Sequence, residues 1–116
     1  MPEDASADPV DADVGTVNGC TTFEDLTGAD ANRTIIWIRT VGQKCLQVKA
    51  GQSVVWDPQQ TFEAHPLRPT KGSPESPIAK QESGGARYTV IFPKAGIFGF
   101  ICGFHFDMTG AIKVVD

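Results

Sequence analysis

The chain has 116 residues, 41 % of them hydrophobic and 21 % charged, which fits one globular core and leaves no room for two. Fourteen acidic against ten basic residues give a net charge of -4, and no block of Lys or Arg occurs, so nucleic acid and anionic membrane surfaces are poor partners. No run is long and apolar enough to span a bilayer as a helix.

In chain order, residues 1–17 come first. They carry Glu3, Asp4, Asp8, Asp11 and Asp13 with no Lys or Arg, and they lack apolar periodicity. They read as an acidic disordered tail ahead of a single domain over 18–116, whose own charge is close to neutral. Met1-Pro2 opens no charged-then-apolar leader, which is also what an exported protein without its signal peptide looks like.

From there, short apolar segments alternate with turn signals, and none keeps a 3.6-residue period over three turns. Strands are expected at 34–41, 45–49, 53–57, 87–92, 96–102 and 110–115, rich in β-branched and aromatic residues. Ala50-Gly51 separates two of them, and Pro93-Lys94-Ala95-Gly96 predicts a hairpin between 88–92 and 97–101. The segment 66–86, with four prolines and three glycines, reads as a long loop, functional or mobile, that holds either an irregular excursion or one short strand around Ile78-Ala79. This pattern predicts an all-β sandwich or barrel.

Three cysteines imply one disulfide and one free thiol. Pairing Cys20 with Cys45 ties the start of the domain to an early strand and leaves Cys102 free; it also implies an oxidising compartment. The alternative is reduced, buried cysteines, distinguished by a thiol count on unfolded protein with and without reductant.

The chemistry concentrates near the end. Cys102-Gly103-Phe104-His105-Phe106-Asp107-Met108 brings a thiol, an imidazole and a thioether within seven residues, in a loop between two apolar strands. The other histidine, His65, lies upstream. One thiolate, two imidazoles and a weak thioether are the ligand set of a mononuclear type 1 copper centre. Singly, a buried Cys, a His or a Met is most often structural; here the only two histidines and the unpaired cysteine fall together into one ligand pattern. Haem attachment lacks the second Cys of C-x-x-C-H, a structural zinc site favours paired Cys or His motifs, and no catalytic dyad or phosphate loop points to an enzyme.

Over about residues 35–116 the chain resembles the cupredoxins, the small blue copper proteins. The C-x2-H-x2-M loop carries the resemblance and has the length found in amicyanin; the strands at 88–92 and 96–100 resemble those that lead into that loop. The resemblance implies a Greek-key β-sandwich, one copper held by His65, Cys102, His105 and axial Met108, export to the periplasm or cell surface, and single-electron transfer between larger redox partners; a monomer that is not an enzyme is expected. A copper carrier or storage protein on the same fold is the alternative; extra Met or His ligands would mark it, and Met1 and Met108 are the only methionines. Two positions depart from the family. Pro66 stands where an Asn usually donates its backbone N–H to the thiolate, and Phe104, where Pro is common, has an N–H that Pro lacks. Pro66, Leu67, Phe104 and Phe106 are expected either to pack around the metal or to form an apolar docking rim beside His105.

Overall fold

A computed structural model describes residues 17–71 and 75–116. The tail expected at the start lies outside these residues except for Val17, which is buried in a single 3-10 turn, η1 (Val17–Gly19). Eight strands follow: β1 (Glu24–Asp25), β2 (Thr34–Ile36), β3 (Gln43–Lys49), β4 (Ser53–Asp57), β5 (Leu67–Pro69), β6 (Tyr88–Ile91), β7 (Gly96–Cys102) and β8 (Thr109–Val115).

They form a sandwich of two sheets, with orders β1-β3-β8-β7-β5 and β2-β4-β6. The pairs β1/β3, β3/β8 and β2/β4 are parallel, and β4/β6, β5/β7 and β7/β8 antiparallel. Chain neighbours therefore repeatedly land in opposite sheets, the crossover habit of Greek-key sandwiches. Alternation decides the inward faces: β4 buries Val54 and Trp56, and β3 buries Leu46 and Val48. Between the sheets Trp37 and Trp56 meet Phe100 edge-on, at ring-centroid distances of 5.6 and 5.2 Å. Such pairs add to the area they bury because the ring edge of one meets the ring face of the other. Central strand β8 is covered on both sides, Ile112 and Val114 facing the main core and Ala111 a smaller cluster with Val17 and Cys20.

Three expectations are corrected. The strand expected at 34–41 stops at Ile36; the Trp37 N–H still reaches the Asp57 carbonyl at 2.7 Å, but Val41 then closes a turn onto Ile38. The hairpin expected across Pro93 does not form, since β6 pairs with β4 while β7 pairs with β8 and β5. The aromatic residues explain this: Phe92 and Phe98 are both buried and their rings face each other at 5.6 Å between the sheets, so the Pro93 turn carries the chain across the core. In the long loop the irregular alternative holds around Ile78, a buried plug, and not the short strand; strand pairing occurs instead at Leu67–Pro69, with an isolated bridge from Leu67 to Gln81. Pro69 is tolerated there because β5 is an edge strand.

Candidate metal centre

The β7–β8 hairpin and the edge strand β5 build the site. At the hairpin's end the Cys102 N–H donates to the Met108 carbonyl at 2.8 Å, and the Met108 N–H to the His105 carbonyl at 3.1 Å, which folds the intervening loop back over Cys102. Leu67 pairs with Cys102 across β5/β7, and the Gly103 N–H donates to the Pro66 carbonyl at 2.9 Å. His65, immediately before, is thereby brought beside a loop nearly forty residues away in sequence. Its own carbonyl accepts from the Trp37 indole N–H at 2.9 Å, which anchors it to the core.

His65, Cys102 and His105 converge, their ligand atoms all within 4.8 Å of one another. Cys102 Sγ lies 3.9 Å from His65 Nδ1 and 3.6 Å from His105 Nδ1. An ion about 2.0 Å from each nitrogen and about 2.3 Å from the sulfur, in a trigonal plane, needs nitrogen and sulfur about 3.7 Å apart, so the three donors fit one metal ion. The soft thiolate favours Cu(I) and the imidazoles also serve Cu(II). Met108, fully buried, is the remaining soft side chain of the loop.

The surroundings favour ligation. Cys102 is only 2 % exposed, and the Phe104 N–H donates to its sulfur at 3.4 Å. Burial, then the neighbouring His105, then the Arg39 charge hold the His65 imidazole below its ordinary pKa, which favours the neutral ring that metal ligation requires. The hydrogen bond from Arg39 to Asp107, 2.9 Å, holds that carboxyl below the usual range and ties the loop to the chain after β2. Both partners are exposed, so the pair adds little stability. The Arg68 guanidinium packs on Gly103, where an added Cβ would lie 2.9 Å from Cζ, and pairs with Glu82 at 3.3 Å.

The four residues expected around the site separate into two pairs. Pro66 and Leu67 are buried and support the ligands from behind, whereas Phe104 and Phe106 are 65 % and 89 % exposed and form a rim. Trp37, Arg39 and Arg68 were not singled out by sequence reasoning. Nothing local marks them, because each acts through a contact made only once β2, β5 and the hairpin are assembled.

No protein-family model and no curated protein matches the chain. Solved structures do match. A point variant of amicyanin in its Cu(I) form is 21 % identical over 75 % of this chain and 85 % of its own, with a TM-score of 0.56. The chain has the cupredoxin fold. A second amicyanin variant, oxidised, matches 79 % of the chain and 90 % of its own length at 21 % identity and a TM-score of 0.54. The copper-containing nitrite reductase NirK of Thermus scotoductus SA-01 matches 72 % of the chain at 23 % identity and a TM-score of 0.53; this chain spans 22 % of that protein's length. On the cupredoxin fold, the His65–Cys102–His105 cluster sits at one end of the sandwich, where β5 and the β7–β8 loop meet.

Proposed function

We propose that the protein is a type 1 copper protein that carries single electrons between redox partners and has no substrate chemistry of its own. The observation that carries this reading is the convergence of the Cys102 thiol with the Nδ1 atoms of both histidines, on a fold shared with amicyanin. When bound, copper supplies a reversible one-electron couple. The protein's part would be to hold the ion with His65, Cys102 and His105 in one arrangement for both oxidation states, with the buried Met108 thioether as a further, weak donor from the same loop, and to keep water from the sulfur. Both histidines of the chain belong to this one site, leaving no imidazole for a second, catalytic metal. A carrier that hands over its copper needs exposed, exchangeable sulfur; burial of Cys102 and Met108 favours electron transfer instead. The Cys20–Cys45 disulfide fits export to an oxidising compartment. Among the described residues no helix is long and apolar enough to cross a membrane.

Titrating metal-free protein with Cu(II) tests the reading. It expects one equivalent bound, an intense visible thiolate-to-copper band and a reversible one-electron wave in voltammetry. Colourless binding, or a wave that does not reverse, would overturn it.

The sulfur's hydrogen bond sets the direction of a further result. A donor to the thiolate withdraws electron density and favours Cu(I), so Phe104→Pro, which deletes that N–H, lowers the reduction potential, and Pro66→Ala, which restores a donor on the opposite side, raises it. Voltammetry reads both, and unchanged potentials would remove the Phe104 N–H from the account.

The exposed rim beside His105 suits weak, transient docking. Phe106→Asp places two like charges against each other whenever two copies meet rim to rim. Electron self-exchange, measured by NMR line broadening, then slows several-fold while the visible spectrum stays that of the wild type; loss of the band would instead assign Phe106 to support of the site.

A further inference from the structure

Outside the metal centre, the most unusual local chemistry is at Asn18. It lies in η1 with a left-handed backbone, φ 49°, two residues before the disulfide cysteine Cys20. Its side-chain amide nitrogen reaches three oxygens: the Gly110 carbonyl at 2.8 Å, Thr70 Oγ1 at 2.9 Å and the Phe100 carbonyl at 3.2 Å. Two N–H protons are thus shared among three acceptors, which fixes the amide orientation, because its oxygen in that place would face only oxygens. Gly99 makes room: a Cβ there would run into Thr70 Oγ1 and lie 2.8 Å from Asn18 Nδ2. The backbone is held too, since Gln43 Nε2 donates to the Asn18 carbonyl at 2.7 Å.

The position of these acceptors gives the contact its meaning. Phe100 lies two residues before Cys102 on β7, and Gly110 two residues after Met108 on β8; the two are register partners. The carbonyl of Phe100 also accepts from Thr109 Oγ1, at 3.0 Å. Thr70 follows β5, the strand that places His65. One side chain therefore bridges all three strands that deliver the ligands, from the outer face of the sheet, and the Cys20–Cys45 bridge anchors it to β3.

We propose that Asn18 is a positioning residue for the metal centre: its amide sets the separation of β7 and β8 at the base of the ligand loop, and so the distance between Cys102 and Met108. This rests on the copper reading given above. With the amide gone, the hairpin base is free to spread, the Met108 thioether moves relative to the Cys102 thiolate, and the arrangement that would be offered to copper changes although none of the proposed ligands has been touched.

Asn18→Gly is the test, because glycine accepts the same backbone angle and removes only the amide. Val54→Ala, in the core on the opposite sheet, serves as a control that lowers stability and leaves every hydrogen bond of Asn18 in place. Two readouts are compared. In metal-free protein, hydrogen exchange at the Cys102 and Met108 amides is expected to be roughly tenfold faster in Asn18→Gly, the effect of losing two ordinary hydrogen bonds, and in Val54→Ala to rise no more than exchange elsewhere in the domain. In Cu(II)-loaded protein, the positions and intensity ratio of the visible bands and the EPR hyperfine splitting shift in Asn18→Gly and stay as wild type in Val54→Ala. If Asn18→Gly changes global stability alone, with both local exchange and the copper spectrum unmoved, the proposal is overturned. If wild-type protein itself forms no thiolate-to-copper band, the copper reading fails, and the metal-free exchange still decides whether Asn18 holds the hairpin.

Discussion

Cys102→Ser abolishes the intense visible band and leaves the metal-free fold in place. The two halves of this result have different causes. The band needs a polarisable thiolate in covalent contact with Cu(II), and a serine hydroxyl stays protonated at neutral pH and is a hard, weak donor. Cu(II) affinity should therefore fall by more than the roughly ten- to hundredfold that loss of an outer partner costs. The fold survives because the smaller hydroxyl sits where the sulfur did. The Phe104 N–H points at the same place and gives it a donor, and the His105 and His65 nitrogens, 3.6 and 3.9 Å from the sulfur, need only a small side-chain shift to accept from it. Metal-free variant and wild type are expected to differ by about 1 kcal/mol or less in denaturant unfolding, whereas the copper-loaded proteins separate clearly, since only the wild type gains the stabilisation that tight binding confers. A variant that keeps the band, or binds Cu(II) as tightly as wild type, would remove Cys102 from the centre.

The sandwich and the ligand loop were legible in the sequence for a common reason: both rest on short-range patterns. Alternation at Ser53–Asp57 and the apolar run at Gly96–Cys102 specify strands wherever they are placed, and Cys102, His105 and Met108 are held together by one hairpin. The partner choice of strands was not legible. The Pro93 turn reads the same whether it closes a hairpin or crosses between sheets, and what decides is the burial of Phe92 against Phe98, a tertiary fact. β5 was hidden for a similar reason, since Leu67–Pro69 ends in a proline that argues against a strand until it is known to lie on an edge. His65 could be nominated from its residue type, but its delivery to Cys102 depends on that unseen strand. Asn18 gave no signal at all, because an Asn-Gly pair before a cysteine reads as an ordinary turn.

Removing the Cys20–Cys45 bridge should destabilise the domain by more than any single exposed contact can. The closed loop spans a separation of 25 residues, for which the chain-entropy estimate is about 3.5 kcal/mol at 25 °C. Replacing both cysteines with alanine is the cleaner variant, because Cys20 is fully buried beside Val17 and Ala111, where a serine hydroxyl would have only the Lys44 carbonyl, 4.0 Å from the present sulfur, to turn to. Denaturant unfolding of metal-free protein is expected to lose about 3 kcal/mol, which in a domain of this size lowers Tm by roughly 12–24 °C. Exchange with the third cysteine does not complicate the result: Cys102 faces the core between the sheets, while the bridge packs in the cluster on the far side of β8. Unfolded wild type should accordingly show one titratable thiol before reduction and three after. A loss below about 1 kcal/mol would mean that the N-terminal segment stays docked through Val17 and Asn18 without its covalent tether. In that case the copper spectrum of the double variant should match the wild type, because the three hydrogen bonds from Asn18 would still span the strands that carry the ligands.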